Sequence, residues 1–164
     1  NLATDHLGRG DPAAAAEQLA VVRAGAEEVV YARFRWLPRM HYVAPELSAI
    51  GGDPKAAIEA AEARLGLAAE HVQPKYEIRG RLALAAAHLA AGVDEPARTA
   101  ALAAASQAER LGFPALAWRS WWAAARAGAG AGARSRAQSW VIQAADGLDE
   151  PLRTRFLAMV PVEP

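Results

Sequence analysis

Cysteine is absent from the 164 residues. That excludes disulfide scaffolds, Cys-bearing zinc sites and thiol catalysis. An excess of one charge is missing too. Eighteen basic residues face eighteen acidic ones, so nothing general draws the chain to nucleic acid or to anionic lipid. Long apolar runs are lacking. A membrane helix needs about 18 or more consecutive apolar residues; Leu82–Ala91 comes nearest, and His88 interrupts it. β-branched residues are sparse and never stand in strict alternation, so a strand reading has little support. The opening Asn1-Leu2-Ala3-Thr4-Asp5-His6 has neither the basic start nor the apolar run of a signal peptide. The expected location is the cytoplasm. A start on Asn rather than Met suggests a piece of a longer protein.

Catalytic and metal motifs are missing as well. His6, His41, His71 and His88 include no H-E-x-x-H pair, and no metal or cofactor is expected. There is no phosphate loop, no G-x-S-x-G elbow and no dinucleotide fingerprint after a strand. Gly128-Ala-Gly-Ala-Gly132 alternates glycine but lacks a P-loop Lys, and reads as a flexible turn. No nucleophile–base–orienter set can be assembled, so the expectation is a protein without catalysis.

What is present is alanine. There are 44, in a chain that is 53% hydrophobic. Ala is the strongest helix former, and Leu, Arg, Glu and Gln follow closely. The predicted fold is all-α, in a single domain covering 1–164.

A repeat organises it. Gly52, Gly92 and Gly132 stand 40 residues apart, as do Ala57, Ala97 and Ala137. Gly10 and Ala15 show the same offset one unit earlier. Arg39, Arg79 and Arg119 form a third column at the same spacing. Gly at a helix end closes the helix in a left-handed conformation. Asp11-Pro12, Asp53-Pro54 and Asp94-Glu95-Pro96 then read as caps and first turns of the next helix. Gln73-Pro74, Phe113-Pro114 and Leu37-Pro38 open further helices between units. The predicted helices lie near 12–35, 38–50, 54–71, 74–91, 96–111, 114–127, 133–147 and 150–159. Residues 1–9 would be the tail of another.

Apolar stripes agree with this. Trp36, Met40, Val43, Leu47 and Ile50 share one helical face, as do Ile78, Leu82, Ala85 and Leu89. Trp118, Trp122 and Ala125 repeat the pattern, with Trp140 on the partner helix. The expected role of these Trp is to fill gaps in an Ala-rich core.

Paired helices with Gly at the turn and Ala five residues later resemble the tetratricopeptide repeat (TPR), whose unit is about 34 residues. The longer step here resembles variants found in LuxR-type ATP-dependent bacterial regulators and related signalling ATPases. Ser106–Arg119 is similar to the sequence joining units there, and Leu152–Leu157 to their closing helix. The small residue expected mid-way along each first helix is Ala3, Ala85 or Ala125, with Pro45 in the second unit. The family's large aromatic in that helix is matched by Trp121; His41 and Arg81 hold the other two places.

The resemblance implies a right-handed superhelix of antiparallel hairpins with a concave groove. Its units would lie near 1–36, 37–72, 73–112 and 113–148, with a capping helix at 150–159. An N-terminal end cut mid-unit would be exposed or paired with another molecule. The family's groove positions fall on Arg39, Tyr42 and Glu46; on Arg79, Leu82 and Ala86; and on Arg119, Trp122 and Arg126. Arg35 and Lys75 lie one turn before two of the arginines.

Guanidinium groups grip carboxylates and phosphates by paired hydrogen bonds. The Arg column therefore reads either as a site for an acidic protein or peptide, or as intramolecular partners of Glu on adjacent helices. Arg33–Tyr42 is basic and aromatic, but its apolar and polar residues separate onto two helical faces, which explains it without nucleic acid. The expected function is protein or peptide recognition inside a bacterial transcriptional-regulatory or signalling protein; the alternative is a small-molecule inducer sensor.

Overall fold

In a computed structural model, residues 2–28, 52–70 and 72–161 are described. Among them every regular element is a helix: α1 (Leu2–Gly8), α2 (Pro12–Glu28), α3 (Pro54–Glu70), α4 (Pro74–Ala90), α5 (Asp94–Arg110), α6 (Pro114–Arg126), α7 (Ala131–Asp146) and α8 (Glu150–Met159). The expected helix 38–50 and the end of the one begun at Pro12 lie outside the described residues. Elsewhere the bounds agree to within two residues. The all-α expectation holds.

Helices α3, α4 and α5 each have 17 residues, and each is followed by three connecting residues. Links this short force neighbours to run antiparallel. From α3 to α8 each helix packs on the next, and α4 also touches α6. α1 and α2 form a pair of their own, with Ala3, Ala15 and Leu19 buried.

One closing motif ends α3, α4, α5 and α6, as it does α1. The N–H of Gly92 donates to the Leu89 carbonyl and that of Val93 to the His88 carbonyl, at 3.0 and 2.9 Å. Gly112 and Phe113 make the same pair with Glu109 and Ala108, and Val72 and Gln73 with Ala69 and Ala68. Gly128 and Ala129 repeat it with Ala125 and Ala124. These are Schellman closures, with the first residue of each pair left-handed. The second residue of the first three pairs is also the N-cap of the following helix, with nearly one backbone geometry: φ −112°, −111° and −104° at Gln73, Val93 and Phe113. The left-handed positions 52, 72, 92 and 112 therefore recur every 20 residues, half the step of the Gly column, because turns within and between units are alike.

Val72 is the exception in that series. It holds φ +51° where Gly52, Gly92 and Gly112 stand in the other turns. A β-branched residue there crowds its own backbone, at a cost of roughly 1–2 kcal/mol. The side chain is 79% exposed, so little packing offsets that strain. Val72→Gly should raise stability by about 1 kcal/mol, after the greater freedom of Gly in the unfolded chain is counted. The thermal midpoint, followed by circular dichroism, should rise by about 2–4 °C; a fall would mean that the valine is not strained.

Two expectations need correction. Gly132 does not sit in a turn. It is the second residue of α7, and the left-handed glycines of that connection are Gly128 and Gly130. The cause is a shift of one helical turn: α6 has only 13 residues, and α7 begins correspondingly early. Asp94, likewise, is not an N-cap but the first residue of α5, after Val93. Asp11 and Asp53 do cap, accepting from the Ala14 and Ala56 N–H groups at 3.0 and 2.9 Å. Asp149 caps α8 in the same way.

The core is an alanine surface filled by a few large rings. Ala15, Ala57, Ala97 and Ala137 are fully buried, as the repeat requires. Gly80 marks the closest approach of two helices: a Cβ there would lie 3.3 Å from the Leu65 Cα on α3. Ile78, Ala104, Ala108, Leu116 and Ala117 join α4, α5 and α6, with Phe113 and Leu82 against them. Trp118, Trp121 and Trp122 pack into Ala85, Ala101, Ala105, Ala124, Ala133 and Ala137. The gap-filling expectation for these Trp holds.

Candidate recognition surface on α4 to α8

Arg35, Arg39, Tyr42 and Glu46 lie outside the described residues. The other expected groove residues fall on α4 and α6 and are treated differently by the fold. Leu82 is half-buried against the Ile78 cluster. Trp122 is 9% exposed and belongs to the core. Arg79 is half-buried, and its Nε is enclosed. Arg119 and Arg126 are exposed, and neither is in an ion pair among the described residues. Arg119 lays its guanidinium 5.5 Å from the Trp118 ring centroid, a cation–π arrangement. So Arg79 and Arg119 stand on touching helices, and Arg119 and Arg126 are exposed. Among the described residues Arg119 is bonded to no Glu of an adjacent helix.

Arg81 belongs to a polar network between two helices. It donates to Glu77 Oε2 at 3.3 Å and to the Gln107 side-chain oxygen, and Gln107 returns a bond to Glu77 at 2.9 Å. This closed triangle ties α4 to α5 through polar groups. Such a half-buried network is stable only if each member is satisfied, and these three satisfy one another.

Glu109 is the residue that sequence reasoning missed. Its Oε1 accepts from the Trp121 and Trp140 indole N–H groups, at 2.8 and 2.7 Å. Its Oε2 faces Arg136 Nη1 at 3.6 Å, and the Arg136 guanidinium lies 4.7 Å from the Trp121 centroid. One carboxylate on α5 thus gathers donors from α6 and α7. Trp140 is 31 positions away in the chain, so no local spacing could reveal the contact.

Trp118 is different. Phe156 of α8 meets it edge-on, with centroids 6.1 Å apart. Its indole Nε1–H is buried and finds no acceptor among the described residues. A buried donor left unpaired costs roughly 1–3 kcal/mol.

Comparison with family models, with curated proteins and with solved structures finds no match for this chain. The reading of function therefore rests on geometry. Among the described residues no helix is long and apolar enough to cross a membrane, and no three His, Asp or Glu are grouped to hold a metal ion.

Proposed function

We propose that the chain is a non-catalytic, TPR-like scaffold that recognises an acidic protein or peptide segment, within a larger cytoplasmic regulatory or signalling protein of a bacterium. In this reading the hairpins stack as a right-handed superhelix. The first helix of each unit lines its groove, and α8 caps the C-terminal end. The observation that carries the proposal is the direct contact of α4 with α6. Arg79 and Arg119, forty residues apart on those two helices, would then belong to one column, and among the described residues Arg119 and Arg126 are exposed and in no ion pair. A surface offering guanidinium groups without acids to satisfy them suits a partner that brings the acids. The inducer alternative would need an apolar cavity bounded by Trp118, Trp121 and Trp122. Those rings are 8–9% exposed and face alanine side chains, which favours the peptide.

The test replaces Arg39, Arg79 and Arg119 together by Ala and titrates a fluorescein-labelled hexaglutamate peptide by anisotropy. Three surface charge contacts of up to about 1 kcal/mol each should weaken binding at least about tenfold. Far-UV circular dichroism should stay unchanged. An unaltered dissociation constant would remove the column from recognition.

A further inference from the structure

α8 is held by little. None of its 10 residues is buried, and Leu152 and Met159 are 51% and 73% exposed. Among the described residues it is attached by Phe156 on Trp118 and by the Arg153–Asp146 salt bridge at 3.5 Å, and Val160, just past its end, packs against the same core. Few buried contacts mean that an element opens locally at low cost.

What it covers is incompletely satisfied. Trp118 is 8% exposed, and its enclosed N–H finds no acceptor among the described residues. The guanidinium of Arg119 lies over the same ring and is in no ion pair among them. α8 does not supply one. It carries Arg153 and Arg155 against a single acid, Glu150, which pairs with neither group. Among the described residues, a buried donor without an acceptor under a weakly held helix, and an exposed cation without an ion-pair partner, therefore meet at one ring, and that helix has the wrong charge to serve either. Apolar shape alone would be met by any helix; these two polar vacancies call for an anion.

We propose that α8 is a displaceable cap, and that the Trp118 surface it covers, flanked by the exposed Arg119, is a docking subsite for an acidic peptide segment. The segment places one large apolar side chain where Phe156 sits, and one carboxylate where it accepts from the Trp118 indole and meets the Arg119 guanidinium. The identity of the occupant rests on the peptide-recognition reading above, whereas the loose seating of α8 does not. Binding and cap closure compete, so the apparent affinity is the intrinsic one reduced by the open fraction. In this arrangement α8 sets a threshold that only a segment with both features overcomes.

The experiment uses the full chain and a short fluorescein-labelled peptide of Glu with one central Phe. Phe156→Ala weakens the cap and should tighten the probe about tenfold. Adding Arg119→Ala should cancel the gain. In ¹⁵N–¹H spectra the Trp118 indole signal, assigned with Trp118→Phe, should move downfield on saturation as the N–H finds its acceptor. If Phe156→Ala unravels α8 altogether, the subsite is still uncovered and the same tightening follows. Equal affinity for the wild-type chain and Phe156→Ala overturns the proposal, as does an unmoved Trp118 signal. If that equal affinity is weakened by Arg79→Ala, the peptide lies in the groove and the recognition reading stands without the cap. Absence of binding to both proteins overturns the cap, and the triple Arg substitution then judges recognition separately.

Discussion

Trp121→Ala should cost about 4 kcal/mol and lower the thermal midpoint by roughly 8–16 °C. Three losses combine. The ring is 9% exposed in the cluster shared by α4 to α7, and its neighbours there are mostly alanines. Alanine side chains have no rotamers with which to refill a hole, so the cavity stays open, and the cost sits at the upper end of the range for aromatic truncation. The indole bond to Glu109 at 2.8 Å disappears. Arg136 loses the ring that it covers. Trp121→Phe separates these terms. It keeps most of the volume and a face for Arg136 but removes the N–H, and should cost about 1–2 kcal/mol. Because neighbours carry most contacts in a repeat, the damage should also be local. Amide exchange should accelerate in α5, α6 and α7, while the α1–α2 pair keeps its protection. Equal penalties for Ala and Phe would show that the hydrogen bond, and not the volume, dominates.

The fold was legible in the sequence because its punctuation is local. A glycine that must be left-handed, a proline in a first turn and an aspartate that caps all act within a few residues, and Gly92, Pro74 and Asp53 sit where those rules place them. Buried alanines were legible for a similar reason, since a small residue at a fixed offset from the turn lands at the same depth in every hairpin. The slips came where local signals compete. Gly128, Gly130 and Gly132 all offer an end to the helix, and the hydrogen bonds of Gly128 and Ala129 with Ala125 and Ala124 select the first. Val72 was hidden because it fills a glycine slot with a residue of another type.

The surface was legible only in part. Arg79 and Arg119 could be aligned by counting, and their helices do touch. Counting could not tell that Trp122, at a groove position, would be drawn into the core, or that Arg81 would be held by Glu77 and Gln107. Which residue turns inward depends on what the adjacent helix offers, and that is set by contacts across 26 to 31 residues.

Glu109→Ala should be the most costly single change to a polar side chain among the described residues, at about 3 kcal/mol. Both indole bonds are to a charged acceptor, which makes each roughly twice as strong as a neutral one. Removing that acceptor leaves the buried Trp121 N–H unsatisfied, at about 1–3 kcal/mol, and frees the Trp140 ring from its anchor. The better helix propensity of Ala returns only a few tenths of a kcal/mol. Glu109→Gln should cost less, about 1–1.5 kcal/mol, because its carbonyl oxygen can still accept from both indoles at reduced strength. The Arg136 contact contributes little to this difference. It spans 3.6 Å with Arg136 61% exposed, and exposed pairs are weak and screened by salt. The penalty of Glu109→Gln should therefore persist in concentrated sodium chloride. A double-mutant cycle isolates the bond itself: Trp140→Phe should destabilise the wild-type chain by about 1 kcal/mol more than it destabilises Glu109→Ala. Additive urea midpoints would mean that Glu109 and Trp140 act independently. In that case α7 is held by its apolar packing and by Arg136 rather than by the Trp140 bond.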